Sequence, residues 1–431
     1  MLKREISEKL KLWRTQKNKK ALCIIGARQI GKTTIIREFA KQEYENFIEI
    51  NFILDKGAEK IFEDKLDADT IIENLTAFKM QKMEPGKTLV FLDEIQECPN
   101  ARCAIKFLVE DGRFDYIESG SLLGVRYKEV PSYAVGFEEI VSMYPMNFRE
   151  FLRANGVQDT TFTTLQFCYE NHNEVPTVMH ETLLKLFATY IVVGGMPECV
   201  MQFAETKDYI LVRHTQDTIL ASYLNDMSKY NNLNEIKKTR LAYDNITVQL
   251  SKRNTRFQYK LIKKGGRAAE FENAIEWLCL SGIVSQVHKL EQVKKPLENY
   301  RDIDAFKIYV SDLGLLCAKK DLAANDILYM VEEINDFKGG MAENYVNVQL
   351  TINGYNTYYW ESERGAEIDF IIQRDGRLIP IEVKSADNTR AKSLKVYMDT
   401  YKPDYAIKLS SKNFGFEDNK KIVPLYAAFC I

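Results

Sequence analysis

With 431 residues, 45% of them apolar, the chain is long enough for two to four domains and has the composition of an ordinary globular protein. Lysine and arginine number 59 against 61 acids, a net charge of −2 that excludes an overall polycation and confines any nucleic-acid surface to a local patch. No apolar run approaches the roughly 18 residues of a membrane span, and the start Met1-Leu2-Lys3-Arg4-Glu5 carries no signal-peptide apolar region, so no membrane association is expected.

Residues 5–14 read as a charged amphipathic helix leading into a first strand. That strand is the apolar run Ala21-Leu22-Cys23-Ile24-Ile25. It opens into Gly26-Ala27-Arg28-Gln29-Ile30-Gly31-Lys32-Thr33-Thr34, which fits the phosphate-binding pattern G-x-x-x-x-G-K-[ST] with Gly26, Gly31, Lys32 and Thr33 in the fixed places. A helix over residues 34–40 follows, with Ile35, Ile36 and Phe39 on its apolar side. Glycines let such a loop curl its amides around a polyphosphate, and the helix N-terminus adds partial positive charge. Lys32 is expected to reach the β- and γ-phosphates and the Thr33 hydroxyl to ligate Mg²⁺. These residues predict a nucleotide site for ATP and Mg²⁺.

A second strand is expected over residues 47–53 and a helix over 68–82, closed by the turn Glu84-Pro85-Gly86. Thr88-Leu89-Val90-Phe91-Leu92-Asp93-Glu94 has four consecutive apolar residues, as in a parallel strand buried on both faces. It ends in two carboxylates where ligands of open α/β sheets bind. Asp93 is expected to hold Mg²⁺ through water, and Glu94 to orient or activate the attacking water. A helix over 101–110 precedes a strand over 114–118 that runs into Ser119-Gly120-Ser121. Ser119 or Ser121 either senses the γ-phosphate or caps a helix. A last strand over 139–143 completes a doubly wound α/β domain spanning residues 1–155.

Residues 156–235 read as helices broken at Val193-Gly194-Gly195-Met196-Pro197-Glu198. From Lys237 to Arg267 the charge shifts: Lys237, Lys238, Arg240, Lys252, Arg253, Arg256, Lys260, Lys263, Lys264 and Arg267 face one acid, Asp244. Phe257 and Tyr259 interleave with these cations. A helix over 269–280 and strands over 283–287 and 307–310 would make a helical module with a β-wing, a winged-helix-like element within a middle region at 156–330. Such a module is a common binder of DNA or RNA, although a charge run also serves as a plain solvated face.

The last domain, 335–431, is expected to hold a helix over 340–350, strands over 357–361, 367–373, 378–385 and 405–409, and a helix over 390–401. The turn Asp375-Gly376 between two alternating segments is a two-residue hairpin signal. That loop sets Asp369 opposite Glu382 and Glu367 opposite Lys384, and pairs Phe370 with Ile381, Ile372 with Ile379 and Ile368 with Val383. Opposed like charges are destabilising, so either a divalent cation bridges the acids beside Lys384, or Lys384 and its surroundings neutralise them. Pro380 suggests an edge or bulge that would shift this register. Eight cysteines lie singly, the closest being Cys98 and Cys103, and His172, His180, His214 and His288 form no ligand pattern. Reduced thiols in a cytoplasmic protein are expected.

The loop residues 26–34, with their Arg28-Gln29 pair, resemble the Gly-Ala-Arg-Gln-x-Gly-Lys-Thr loop of prokaryotic AAA-type ATPases that carry a C-terminal domain of unknown function. Leu92-Asp93-Glu94-Ile95-Gln96, Gly194-Gly195-Met196-Pro197, residues 307–316 and Glu343-Asn344-Tyr345-Val346 extend the resemblance over nearly the whole chain. The pattern Glu343, Asp369, Glu382-Val383-Lys384 also resembles the PD-(D/E)XK nuclease fold. That second resemblance implies a restriction-endonuclease-like domain with Asp369 and Glu382 as metal ligands, Glu343 as an upstream helical acid and Lys384 as catalytic lysine. Gly136-Phe137 departs from the Gly-Arg that members often carry there, which leaves any arginine-finger role without a residue at that place. The resemblance admits three functions: an ATPase coupled to a nucleic-acid-directed module, a regulatory switch whose nuclease-like domain is a silent scaffold for a protein partner, or an ATP-dependent nuclease.

Overall fold

The computed structural model describes residues 2–63, 65–121, 136–229, 233–250, 256–329, 335–384 and 392–431. Lys252 and Arg253, the end of the expected strand at 385 and the start of the expected helix at 390 lie outside them. The chain divides into two compact units, Met1–Tyr144 with Leu280–Gly282, and Pro145–Cys279 with Ile283–Ile431.

In the first unit α1 (Ile6–Thr15), β1 (Ala21–Ile25), α2 (Lys32–Glu43), β2 (Asn46–Asn51), α3 (Ala68–Lys79), β3 (Thr88–Asp93), α4 (Pro99–Asp111), β4 (Asp115–Gly120) and β5 (Glu138–Ser142) alternate as a parallel sheet requires. The sheet order is β2-β3-β4-β1-β5, with every pairing parallel. Strand β3, flanked by β2 and β4, is buried at all six positions, which is why its sequence reads as an unbroken apolar run ahead of the acid. On α2 the buried set Ile35, Ile36, Phe39 and Ala40 repeats at helical spacing and faces the core. Asp67 caps α3 by accepting from Thr70 N, and α4 begins with Pro99 in its first turn. Register aligns Asn51 with Asp93 and Asp93 with Ser119, so the strand ends gather at one edge.

The second unit begins earlier than residue 155. Helix α5 (Phe148–Ala154) is closed by a capping box, in which Asn147 accepts from Glu150 N and the Glu150 carboxylate accepts from Asn147 N. Its fully buried Phe148 and Phe151 pack on Tyr190, with ring centroids 5.4 and 5.3 Å away, which ties the helix to the second unit. Helices α6 (Asp159–Asn171), α7 (Thr177–Val193), α8 (Pro197–Thr206), α9 (Tyr209–Lys229), α10 (Leu233–Leu250), α11 (Tyr259–Ile262) and α12 (Ala268–Leu280) follow. Strands β6 (Val284–Leu290) and β7 (Arg301–Val310), helices α13 (Leu313–Lys319), α14 (Ala324–Leu328) and α15 (Asn335–Ile352), and strands β8 (Tyr358–Glu361), β9 (Glu367–Arg374) and β10 (Arg377–Val383) come next. Helix α16 (Lys392–Tyr401), β11 (Ala406–Ser410), β12 (Gly415–Glu417) and β13 (Lys420–Pro424) complete the unit.

Among the described residues one eight-stranded sheet runs β12-β13-β11-β10-β9-β8-β6-β7. The expected helices and wing strands are present, but the wing is not confined to a middle region. The wing strands β6 and β7 pair antiparallel with each other, and β6 then pairs parallel with β8, so they form one edge of the C-terminal sheet. The expected break near residue 330 therefore crosses a continuous sheet.

The hairpin register holds from Arg377↔Arg374 to Ile381↔Phe370 and stops there. Beyond it the Asp369 side chain accepts from Val383 N at 2.7 Å, while the other edge of β10 pairs with β11 from Ile381 to Val383. The expected ladder pairs Asp369–Glu382 and Glu367–Lys384 are not part of the register; Glu367 lies opposite Glu361 instead.

Three motif stretches far apart in sequence interlock through one buried carboxylate. Asp312 caps α13 by accepting from Leu315 N at 2.8 Å, and it also accepts from Gly195 N at 2.6 Å. Met146 N donates back to Gly195 O at 2.6 Å, and a Cβ at Gly195 would collide with the Met146 carbonyl. Burial pushes the Asp312 carboxyl up to about 6, although the amides of Leu315, Gly195, Gly314 and Met196 favour its charged form.

Candidate functional site

The phosphate loop leaves β1 at Ile25 with Gly26 at φ 148° and Gly31 at φ 90°, both positive. A Cβ at Gly26 would run into the Met143 carbonyl and the Ile30 side chain, so only glycine fits the start of this curl. Arg4, itself buried, braces the loop by donating to Ile30 O at 2.8 Å and Tyr144 O at 2.7 Å. Lys32 is 7% exposed, and its ammonium donates to Gly26 O and Ala27 O at 2.8 Å each. Burial lowers its pKa to about 8, against the pull of Glu94 and Asp93. A buried ammonium resting on the loop's own carbonyls lies where an anion cradled by that loop would meet it.

The strand ends supply the other half. Thr33 Oγ1 donates to Asp93 Oδ2 at 3.1 Å, Asn51 Nδ2 donates to the same oxygen at 2.9 Å, and the Ser119 hydroxyl donates to Asp93 Oδ1. Burial raises the Asp93 pKa, and the bonds from Ser119, Thr33 and Asn51 counteract it. Glu94 sits at φ 54° and ψ 44°, a left-handed conformation that costs a non-glycine residue roughly 1–3 kcal/mol and clusters at functional sites. The Glu94 Oε2 atom accepts from Gln96 Nε2 at 2.5 Å and from Ser121 Oγ at 3.3 Å. Arg28 Nε donates to Ser121 Oγ at 3.2 Å.

The structure thus brings together Arg28, Lys32, Thr33, Asp93, Glu94, Ser119 and Ser121 on the C-terminal edge of one sheet. The two serines divide the work, Ser119 on Asp93 and Ser121 on Glu94. Asn51 and Arg4 belong to the site although no motif marks them; the only signal for Asn51 is that it ends the strand beside the carboxylate strand. The donor set fits Mg²⁺ with a polyphosphate: a hydroxyl and a carboxylate oxygen face each other, and an ammonium lies over the loop.

The C-terminal acids are arranged otherwise. Lys307, on β7 and 2% exposed, lies 3.6 Å from Glu343 and donates to Glu367. Tyr309 OH donates to Glu343 at 3.2 Å, and Lys384 Nζ is 2.8 Å from Glu382 Oε1. Glu382 is 2% exposed, and its other oxygen has no hydrogen-bond partner among the described residues. Burial, then the Glu343 charge, pushes the Asp369 carboxyl up to about 8. Among the described residues no group of three or more His, Cys, Asp or Glu is placed to hold a metal ion. Lys307 is paired with Glu343 and Lys384 with Glu382, so the expected cation site at Glu343, Asp369 and Glu382 has no support among the described residues.

The basic segment does not present one face. Lys238 pairs with Glu235, Lys263 with Glu270, and Arg240 donates to Ser228. Phe257 is buried and stacked on Phe306 at 5.6 Å, so it offers no ring to a base. Arg256, Lys260 and Arg267 line a concavity of about 680 Å³ with Tyr259 and Glu361, and Glu361 is paired with Lys289.

Residues 18–152 match the family model described as AAA domain, residues 184–326 a domain of unknown function (DUF8612), and residues 338–428 another domain of unknown function (DUF4143). No curated protein matches the chain. Among solved structures, the Walker-type ATPase paby2304 of Pyrococcus abyssi is 12% identical and overlaps 74% of this chain and 96% of its own, with a TM-score of 0.44. The Aeropyrum pernix ORC1 protein in complex with DNA is 13% identical over 73% and 90%, with a TM-score of 0.30. A single-substitution variant of Thermotoga maritima RuvB is 13% identical over 66% and 89%, with a TM-score of 0.31. Overlaps this loose do not bear on function. No described helix is long and apolar enough to cross a membrane. Residues 18–152 thus match the AAA domain family, and within them residues 26–34 form a loop with the positive-φ glycines of a phosphate loop.

Proposed function

We propose that the protein is a Mg²⁺-dependent ATPase that couples its nucleotide state to a nucleic-acid-directed second unit. The observation that carries the ATPase reading is Thr33 Oγ1 at 3.1 Å from Asp93 Oδ2, beside a buried Lys32 whose ammonium rests on the loop carbonyls. Lys32 and the loop amides of residues 26–34 bind the phosphates, and Thr33 and Asp93 would hold Mg²⁺. When bound, Mg²⁺ would neutralise charge on the phosphate oxygens. Glu94 orients the attacking water and takes its proton. Release of phosphate from ATP by the full chain, absent in EDTA and present with Mg²⁺, is the expected result; equal rates in both would sink this reading.

The nucleic-acid part rests on Arg256, Lys260 and Arg267, three cations on one concavity in a nearly neutral chain. Removing one phosphate-binding cation flattens the plot of log affinity against log salt by roughly 0.9 for duplex DNA. Replacing all three by Gln should weaken binding and reduce that slope by roughly 2–3. An unchanged slope removes this groove from the interface.

A second reading, the regulatory switch with a silent scaffold, is favoured by Lys307 standing as an internal cation between Glu343 and Glu367. It predicts no Mn²⁺ bound without nucleotide and one Mn²⁺ per chain with ATP, counted by paramagnetic resonance. A Mn²⁺ bound without nucleotide, and lost in Asp369→Asn, would restore the nuclease reading.

A further inference from the structure

Glu94 is followed by a single 3-10 turn, Ile95–Glu97, whose first residue is fully buried. The left-handed backbone at Glu94 folds that turn back, so Gln96, 4% exposed, lays its side-chain amide on the carboxylate two residues before it. Both donors, Gln96 Nε2 at 2.5 Å and Ser121 Oγ at 3.3 Å, meet the same oxygen, Oε2. The direction of the Ser121 proton follows from Arg28: a hydroxyl accepting from Arg28 Nε has its one hydrogen to give to Glu94. Oε1 receives neither bond.

We propose that Gln96 is a positioning residue for Glu94, clamping Oε2 together with Ser121 so that Oε1 alone is presented to the attacking water. The inference rests on Glu94 being the group that orients the water in an ATPase. A carboxylate free to rotate spreads its two oxygens over many directions, and catalysis by an oriented base falls off steeply with misplacement. In the step itself the water oxygen bonds to the γ-phosphorus, the bond to the β,γ-bridging oxygen breaks and ADP leaves, and the water proton passes to Oε1. Gln96 keeps its own protons throughout.

The test uses the full chain and Gln96→Met, which keeps the side-chain length and removes the donor. Turnover with Mg²⁺ and ATP should fall roughly ten- to a hundredfold, the loss expected for a hydrogen bond to a charged group, with KM and ATP affinity unchanged. In a Glu94→Gln background the same substitution should change nothing further, because residues acting as one unit are not additive. Without nucleotide, selective ¹⁵N-glutamine labelling should show one side-chain amide signal that disappears in Gln96→Met and shifts in Glu94→Gln. Parental turnover in Gln96→Met, a further loss on the Glu94→Gln background, or a Gln96 signal indifferent to Glu94→Gln would overturn the clamp. Glu94→Gln turning over at the parental rate would overturn the ATPase assignment of Glu94 and the clamp with it; a Gln96→Met failure beside a crippled Glu94→Gln leaves that assignment standing.

Discussion

Glu94→Gln is expected to bind ATP with the parental affinity and to lose roughly 10²–10⁴-fold in turnover, the usual contribution of a positioned general base. The substitution keeps the size of the side chain and its place at the end of β3, where Gln96 and Ser121 hold it. The loop lysine and the cation-binding oxygens are held by bonds of their own, Lys32 on Gly26 O and Ala27 O and Thr33 on Asp93, so they stay as they are. Separate measurement of binding and phosphate release tests this directly. A weakened affinity would mean that Glu94 belongs to the binding set rather than to the chemistry.

Asp312→Ala should be the most destabilising single change in the second unit. The carboxylate holds Gly195 N and Leu315 N at 2.6 and 2.8 Å in a fully buried site. Each buried amide left without an acceptor costs about 1–3 kcal/mol, so about 2–6 kcal/mol is expected for the two. At about 2–4 °C per kcal/mol, this lowers the melting temperature by roughly 5–20 °C. The pH dependence has a definite sign. Burial raises the folded carboxyl to about 6, above an unfolded value of about 3.9. The folded state therefore holds more protons between these values, and the Asp312 contribution is largest below about pH 4 and declines as pH rises to about 6. Asp312→Asn should flatten this part of the stability profile. An unchanged profile together with a small effect of Asp312→Ala would mean that water or another acceptor serves these amides.

Local signals were legible in the sequence and distant partnerships were not. The loop and helix after β1, the carboxylate-ended β3 and the Asp375-Gly376 hairpin depend on neighbours within a few residues, and each lies where the pattern puts it. The hairpin register held as far as Ile381↔Phe370; beyond it the Asp369 side chain takes the Val383 amide, and β11, which no hairpin rule contains, lies along the other edge of β10. The wing strands β6 and β7 pair as a local hairpin would, but their junction with β8, which joins them at β6, was hidden because β8 lies far along the chain. Lys307 was hidden for a related reason. In the run Ala305-Phe306-Lys307-Ile308-Tyr309-Val310 a single cation looks like a solvated position, and only the acids brought beside it by α15 and β9 make its burial tolerable. The division between Ser119 and Ser121 depends on the alignment of β4 with β3, which composition does not encode.

The claim on which the rest stands is that the loop from Gly26 to Thr34 holds the phosphates of ATP through Lys32. The most direct measurement is an equilibrium titration of the full chain with Mg²⁺ and a fluorescent ATP analogue, parent against Lys32→Ala. Removing one partner of a buried charge pair costs about 2–5 kcal/mol, so the variant should bind roughly 30-fold to several-thousandfold more weakly. Its melting temperature without nucleotide should stay close to that of the parent. Parental affinity in a folded Lys32→Ala protein would place the nucleotide elsewhere and contradict the account.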